Sequence, residues 1–159
     1  MAQLPLPVGR SDGHFREFIA VDKIPKSLML CTKESSQTMA TADRALRILI
    51  VDDEPLVSMS IKLLLRADGH EVTITDSPAA ALDIVGASPF DLLITDFTMA
   101  DMNGDDLAAA IKERFPALPV IMVTAFAESL TYPLLGVDVL IGKPFSREDL
   151  RQAVQKAIR

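Results

Sequence analysis

Four short apolar runs in this chain each lead into residues that can do chemistry. DLLITD (91–96) ends on Asp96, RILIVDD (47–53) on Asp52 and Asp53, VIMVT (120–124) on Thr124, and VLIGKP (139–144) delivers Lys143. Apolar runs of this length read as strands buried on both faces. An open parallel sheet presents its ligands at the carboxyl ends of such strands. Three acids, one hydroxyl and one cation are therefore expected at one sheet edge. Carboxylates crowded together either take up a proton or hold a cation. An oxygen-only donor set with no His or Cys beside it favours Mg²⁺. A carboxylate can also attack phosphorus and form an aspartyl phosphate. That transfer needs its equatorial oxygens neutralised, which Mg²⁺ and Lys143 would do while Thr124 donates to a third oxygen.

The elements that must position these residues follow a repeating strand–helix pattern. After the first strand, Pro55 suits a first helical turn, and Val57, Ile61, Leu64 and Leu65 form an apolar stripe ending at Gly69. EVTIT (71–75) alternates as an edge strand does, and Ser77-Pro78 opens a second helix running to about Gly86. The strand at 91–95 leads through the loop 97–104 into a helix over about 105–115. A fourth strand spans 120–123, a weak helix 127–132 stops before Pro133, and a fifth strand spans 137–141. Ser146 and Asp149 form a capping-box-like start to the last helix, whose stripe is Leu150, Val154, Ala157 and Ile158. Five strands and five helices in alternation imply an α/β fold, a parallel sheet covered on both faces.

Composition narrows the function classes. The chain has 159 residues, 49% apolar and 24% charged, as expected of a globular protein with one sizeable core. A net charge of −6 argues against a nucleic-acid or anionic-membrane surface. No apolar run approaches the ~20 residues of a membrane span, and no signal peptide is visible, so the cytoplasm is the expected compartment. The one cysteine, Cys31, rules out an internal disulfide. Residues 1–44, with six basic and five acidic residues and scattered prolines, read as a disordered N-terminal extension, with a short strand or helix at 15–21 as its one candidate element. Residues 45–159, with ten basic and seventeen acidic, form the domain. Met39 opens a short polar lead into the first strand, so the working protein is expected to start there or to carry a dispensable tail.

ILIVDDEP (48–55), DLLITD (91–96), MNG (102–104), VIMVTA (120–125) and GKPF (142–145) together resemble the receiver domains of two-component response regulators. The resemblance covers about residues 46–159. It implies a flavodoxin-like, doubly wound five-stranded sheet of order 2-1-3-4-5, an order for which a receiver protein is a standard example. It implies that Asp96 accepts a phosphoryl group from a phosphohistidine on a sensor histidine kinase or histidine phosphotransfer protein. Asp53, Asp96 and the backbone carbonyl of Thr98 would ligate Mg²⁺, with Asp52 acting through a water. Lys143 would pair with Asp96 or its phosphate, Thr124 would bond the phosphoryl oxygen, and a cis peptide would precede Pro144. Because the chain stops just after the last helix, no effector domain is expected, and the output goes to a downstream protein that the sequence does not name.

Each site residue also has a plainer reading. Asp52 and Asp53 could be acids favoured by a helix N-terminus, Lys143 a surface lysine, and Thr124 a strand-end threonine. His70 reads as a solvated residue after a helix cap. The pattern departs from the family at Ala100, where proline is usual, at Leu140, where Tyr or Phe is common, and in the short segment between Thr124 and Lys143. These departures bear on readout through the fourth helix and fifth strand and leave the chemistry intact. Two other functions share parts of the pattern. An Asp-nucleophile phosphatase would want an acid at Thr98 and a lid; a non-phosphorylated binding module would not need the acid set.

Overall fold

A computed structural model describes residues 44–131 and 133–159. All but Arg44 of the expected extension, with its candidate element at 15–21, Cys31 and Met39, lies outside the described residues. Five strands form one parallel sheet: β1 (Arg47–Val51), β2 (Glu71–Thr75), β3 (Leu92–Asp96), β4 (Val120–Thr124) and β5 (Val139–Gly142). Their order is β2-β1-β3-β4-β5, the flavodoxin-like doubly wound order, with EVTIT on an edge as its alternation implies.

The period of two along each strand sorts the core into two layers. Ile48, Ile50, Leu92, Ile94, Ile121 and Val123 face one side, where Ile61 and Leu65 of α1 (Pro55–Ala67) and Leu150 and Val154 of α4 (Arg147–Ala157) cover them. Leu49, Val51, Leu93, Val120 and Met122 face the other, under Ala81 and Val85 of α2 (Pro78–Ala87) and Leu107 and Ile111 of α3 (Gly104–Arg114). β1, β3 and β4 are apolar on both faces because helices cover both.

Local signals set the helix ends. Ser77 caps α2 by accepting from the Ala80 N–H, with Pro78 in the first turn. Ser146 and Asp149 form a reciprocal capping box on α4. Gly69 takes a left-handed conformation just past α1.

Three expectations are corrected. The described residues hold four helices, not five: after β4 the chain makes a hydrogen-bonded turn, with Ser129 and Leu130 N–H groups on the Phe126 carbonyl, and no helix forms over 127–131. Farther along, the chain packs closely on α3 at Gly136. Gly136 has φ +79°, and a Cβ there would stand 2.7 Å from the Ala108 backbone, while Leu130 and Leu134 pack into the second core layer. β5 begins at Val139 rather than at 137, the Val137 N–H being turned back to the Leu134 carbonyl at 3.2 Å. His70 is half-buried rather than solvated, and its Nδ1 accepts the Leu46 N–H at 3.4 Å. No described helix is long and apolar enough to cross a membrane.

Candidate functional site

Strand register places the chemical residues in a row. Val51 pairs with Thr95, Asp96 with Val123, and Thr124 with Gly142. The next residue along β1 is Asp52 and the next after β5 is Lys143, so Asp52, Asp96, Thr124 and Lys143 share one carboxyl edge. The Lys143 N–H donates to the Thr124 carbonyl at 2.7 Å, extending the sheet by one bond, and the Lys143–Pro144 peptide is cis as the resemblance implies.

Lys143 Nζ stands 3.2 Å from Asp96 Oδ1 and 3.6 Å from Asp52 Oδ2. Asp52 is buried, and its Oδ1 accepts the Glu54 N–H at 2.8 Å. Desolvation pushes the Asp52 carboxyl above the ordinary carboxylate range, against the pull of the Glu54 N–H and Lys143 and with the charges of Asp96 and Asp53 adding to it. Thr124 is buried, and its Oγ1 accepts the Phe126 N–H at 3.1 Å, which ties the hydroxyl to the turn after β4.

Asp53 is exposed and reaches the loop that follows Asp96, where its Oδ2 accepts the Ala100 N–H at 3.1 Å. That loop is held from below. Phe97, Met99 and Met102 turn into the second core layer, which leaves Thr98 and Ala100 exposed on the site side. The Thr95 hydroxyl donates to the Asp96 carbonyl at 2.9 Å, and the Gly104 N–H donates to the Phe97 carbonyl at 2.7 Å.

The donors around the edge are all oxygens, which suits Mg²⁺. No three His, Cys, Asp or Glu side chains among the described residues form a ready-made metal cage. Mg²⁺ keeps several waters and uses one or two carboxylates, so the donors fit a hydrated ion better than a caged one.

Three features of the site have no role in the sequence reading. Gly104 matches a motif there without a stated reason; its reason is close packing on Asp96. Ala100 reads only as a departure, yet its N–H makes a bond that proline cannot make. The third is an exposed apolar stripe on α1, Leu56 (79% exposed), Met59 (49%) and Leu63 (62%), beginning three residues after Asp53. Its i, i+3, i+7 spacing is legible in the sequence beside the buried stripe.

Residues 48–155 match the family model described as the response regulator receiver domain. The chain is 38% identical over 117 residues to the chemotaxis protein CheY of Pseudomonas aeruginosa, covering 70% of this chain and 94% of that one. It is 32% identical over 114 residues to the transcriptional regulatory protein GlrR of Escherichia coli, covering 70% of this chain but only 26% of that one. Among solved structures it is similar to the response regulator protein TrrA of Thermotoga maritima in complex with Mg²⁺-BeF. The TM-score is 0.64 and the identity 28%, covering 70% of this chain and 98% of that one.

Proposed function

The chain belongs to the response regulator receiver domain family of two-component systems, and from that premise we propose that Asp96 accepts a phosphoryl group from a phosphohistidine on a sensor histidine kinase or histidine phosphotransfer protein. An Asp96 carboxylate oxygen attacks phosphorus, the P–N bond breaks, and the imidazole leaves on the donor protein. The observation that carries this reading is Lys143 Nζ at 3.2 Å from Asp96 Oδ1, a cation already placed where phosphoryl charge would develop. Bound Mg²⁺, held by Asp53, Asp96 and the Thr98 carbonyl with Asp52 acting through water, would supply the remaining charge neutralisation. Thr124 would release the Phe126 N–H or turn its hydroxyl to donate to a phosphoryl oxygen, carrying the change into the turn after β4. The domain spans 45–159, works in the cytoplasm, and acts as a signalling phosphoacceptor that catalyses only its own phosphorylation and dephosphorylation.

The donor protein must bring its phosphohistidine to Asp96, so its surface has to meet the rim of the site. The Leu56–Met59–Leu63 stripe supports a docking face there, because α1 starts two residues after Asp53. Labelling with a small phosphodonor tests the chemistry. Wild-type protein should take up one stable phosphoryl group in Mg²⁺ and none in chelator. Asp96→Asn should take up none while staying folded. Labelling of Asp96→Asn at the wild-type level would exclude Asp96 as acceptor, and multiple turnover by the wild type would favour a phosphatase.

A further inference from the structure

We propose that the backbone N–H of Ala100 is a positioning group for the cation, holding the Asp53 carboxylate in the orientation in which it binds Mg²⁺. The inference rests on Asp53 being a cation ligand and goes beyond it by naming what aims that ligand. Asp53 is exposed, and the 3.1 Å bond from Ala100 is the only hydrogen bond to its side chain among the described residues. An exposed carboxylate free to rotate must be ordered when a cation binds, and that ordering weakens binding. A carboxylate has about four lone-pair sites, so Oδ2 can stay on Ala100 while the other oxygen faces the cation.

The donor itself is well fixed. Phe97, Met99 and Met102 anchor the loop in the core, and the Thr95 hydroxyl and Gly104 N–H brace its first residues. Thr98, whose carbonyl is the other expected loop donor, lies between Asp96 and Ala100. One bond from Ala100 to Asp53 therefore ties a carboxylate on the β1 side to the loop segment that carries Thr98. The contribution belongs to the N–H, so any residue but proline at this position can make it.

Calorimetric Mg²⁺ titration of the full chain and of Ala100→Pro and Ala100→Gly tests this. Ala100→Pro, which lacks the donor, should bind Mg²⁺ about tenfold more weakly, equivalent to about 1.4 kcal/mol. Ala100→Gly, which keeps it, should bind within about twofold of wild type. Wild-type affinity or tighter binding in a folded Ala100→Pro overturns the proposal, and tighter binding would mean that the N–H competes with the cation. A wild-type protein indifferent to Mg²⁺ overturns the cation reading itself. Should Ala100→Pro fail to fold, amide exchange in the wild type decides. The Ala100 amide should be protected, should stay protected when Mg²⁺ saturates the site, and should lose protection in Asp53→Ala. Loss of protection on adding Mg²⁺ overturns the proposal.

Discussion

Gly104 lies so close to Asp96 that a Cβ on it would stand 2.0 Å from the Asp96 carbonyl oxygen and 3.2 Å from the Phe97 Cα. Both neighbours are backbone, so no side chain can swing aside. The first residue of α3 is thus packed directly on the residue proposed to carry the phosphate. Gly104→Ala should push the loop 97–103 away from β3. The expected cost is roughly 2–3 kcal/mol, as for forced overpacking, or on the order of 10 °C in melting temperature for a domain of this size. A thermal melt checks it; a drop of only a degree or two would mean that the loop yields freely.

The strands and the row of residues that follow them are legible in the sequence because they rest on strong local signals, whereas the order 2-1-3-4-5 comes from the resemblance to receiver domains. Apolar runs such as ILIV and VIMV read as strands covered on both faces, and Asp52 and Thr124 follow them directly at the carboxyl ends. The caps at Ser77 and Ser146 are legible for a similar reason, since a hydroxyl before a helix has one favoured partner. The region between Thr124 and Val139 is not. Its conformation is set by Gly136 packing on Ala108, a neighbour 28 residues distant in sequence that no local propensity encodes. The burial of His70 escapes a sequence reading because the Leu46 N–H that holds it against the first strand is likewise a tertiary partner. The role proposed for Ala100 lies in its backbone N–H, which its side-chain identity does not advertise.

Asp52 should make the metal-free protein less stable at neutral pH than an uncharged equivalent would. Burial raises its carboxyl above the ordinary 3.8, so the folded state prefers the protonated acid. The stability linked to that proton is fully present below 3.8 and is lost as pH rises through the raised folded value. Asp52→Asn can still accept from the Glu54 N–H and carries no charge to desolvate. In chelator at pH 7 it should therefore melt higher than wild type, and the gap should close as pH falls below 4. Melts across that range measure it, and an Asn variant that melts lower at pH 7 would mean that the pairing with Lys143 outweighs desolvation.

His70 should give the domain an acid-sensitive step of its own. Desolvation holds its pKa below the ordinary 6.5, with the charge of Asp68 opposing. Its Nδ1 accepts from the Leu46 N–H and so carries no proton in this structure. Arg44, Arg151 and Asp68 line the same small cavity of about 180 Å³, and Arg151 is paired with Asp68 at 2.6 Å. The unfolded chain takes up the imidazole proton first, so stability is intact above pH 6.5 and falls as pH drops through the lowered folded value. His70→Asn, which can accept the same N–H without titrating, should flatten melting temperature between pH 7 and pH 5. An unchanged slope in that variant would assign the loss to other groups.

Leu56, Met59 and Leu63 should matter to one phosphodonor class and not to the other. They share one solvent-facing side of α1, opposite the buried Ile61 and Leu65, and none contributes to either core layer. Replacing all three by Gln keeps good helix formers and swaps exposed side chains, each worth within about ±0.5 kcal/mol. The triple variant should therefore melt within a few degrees of wild type. Its site residues are untouched, so a small phosphodonor should label Asp96 at the wild-type rate. Transfer from a phosphorylated sensor kinase depends on protein docking, and removing three apolar side chains from the proposed docking face should slow it by a factor on the order of ten to a hundred. Time courses with both donors, run side by side on the same preparation, separate the two effects. Equal slowing with both donors would place the damage in the site, and wild-type transfer from every kinase of the source organism would show that the phosphodonor meets the rim on another face.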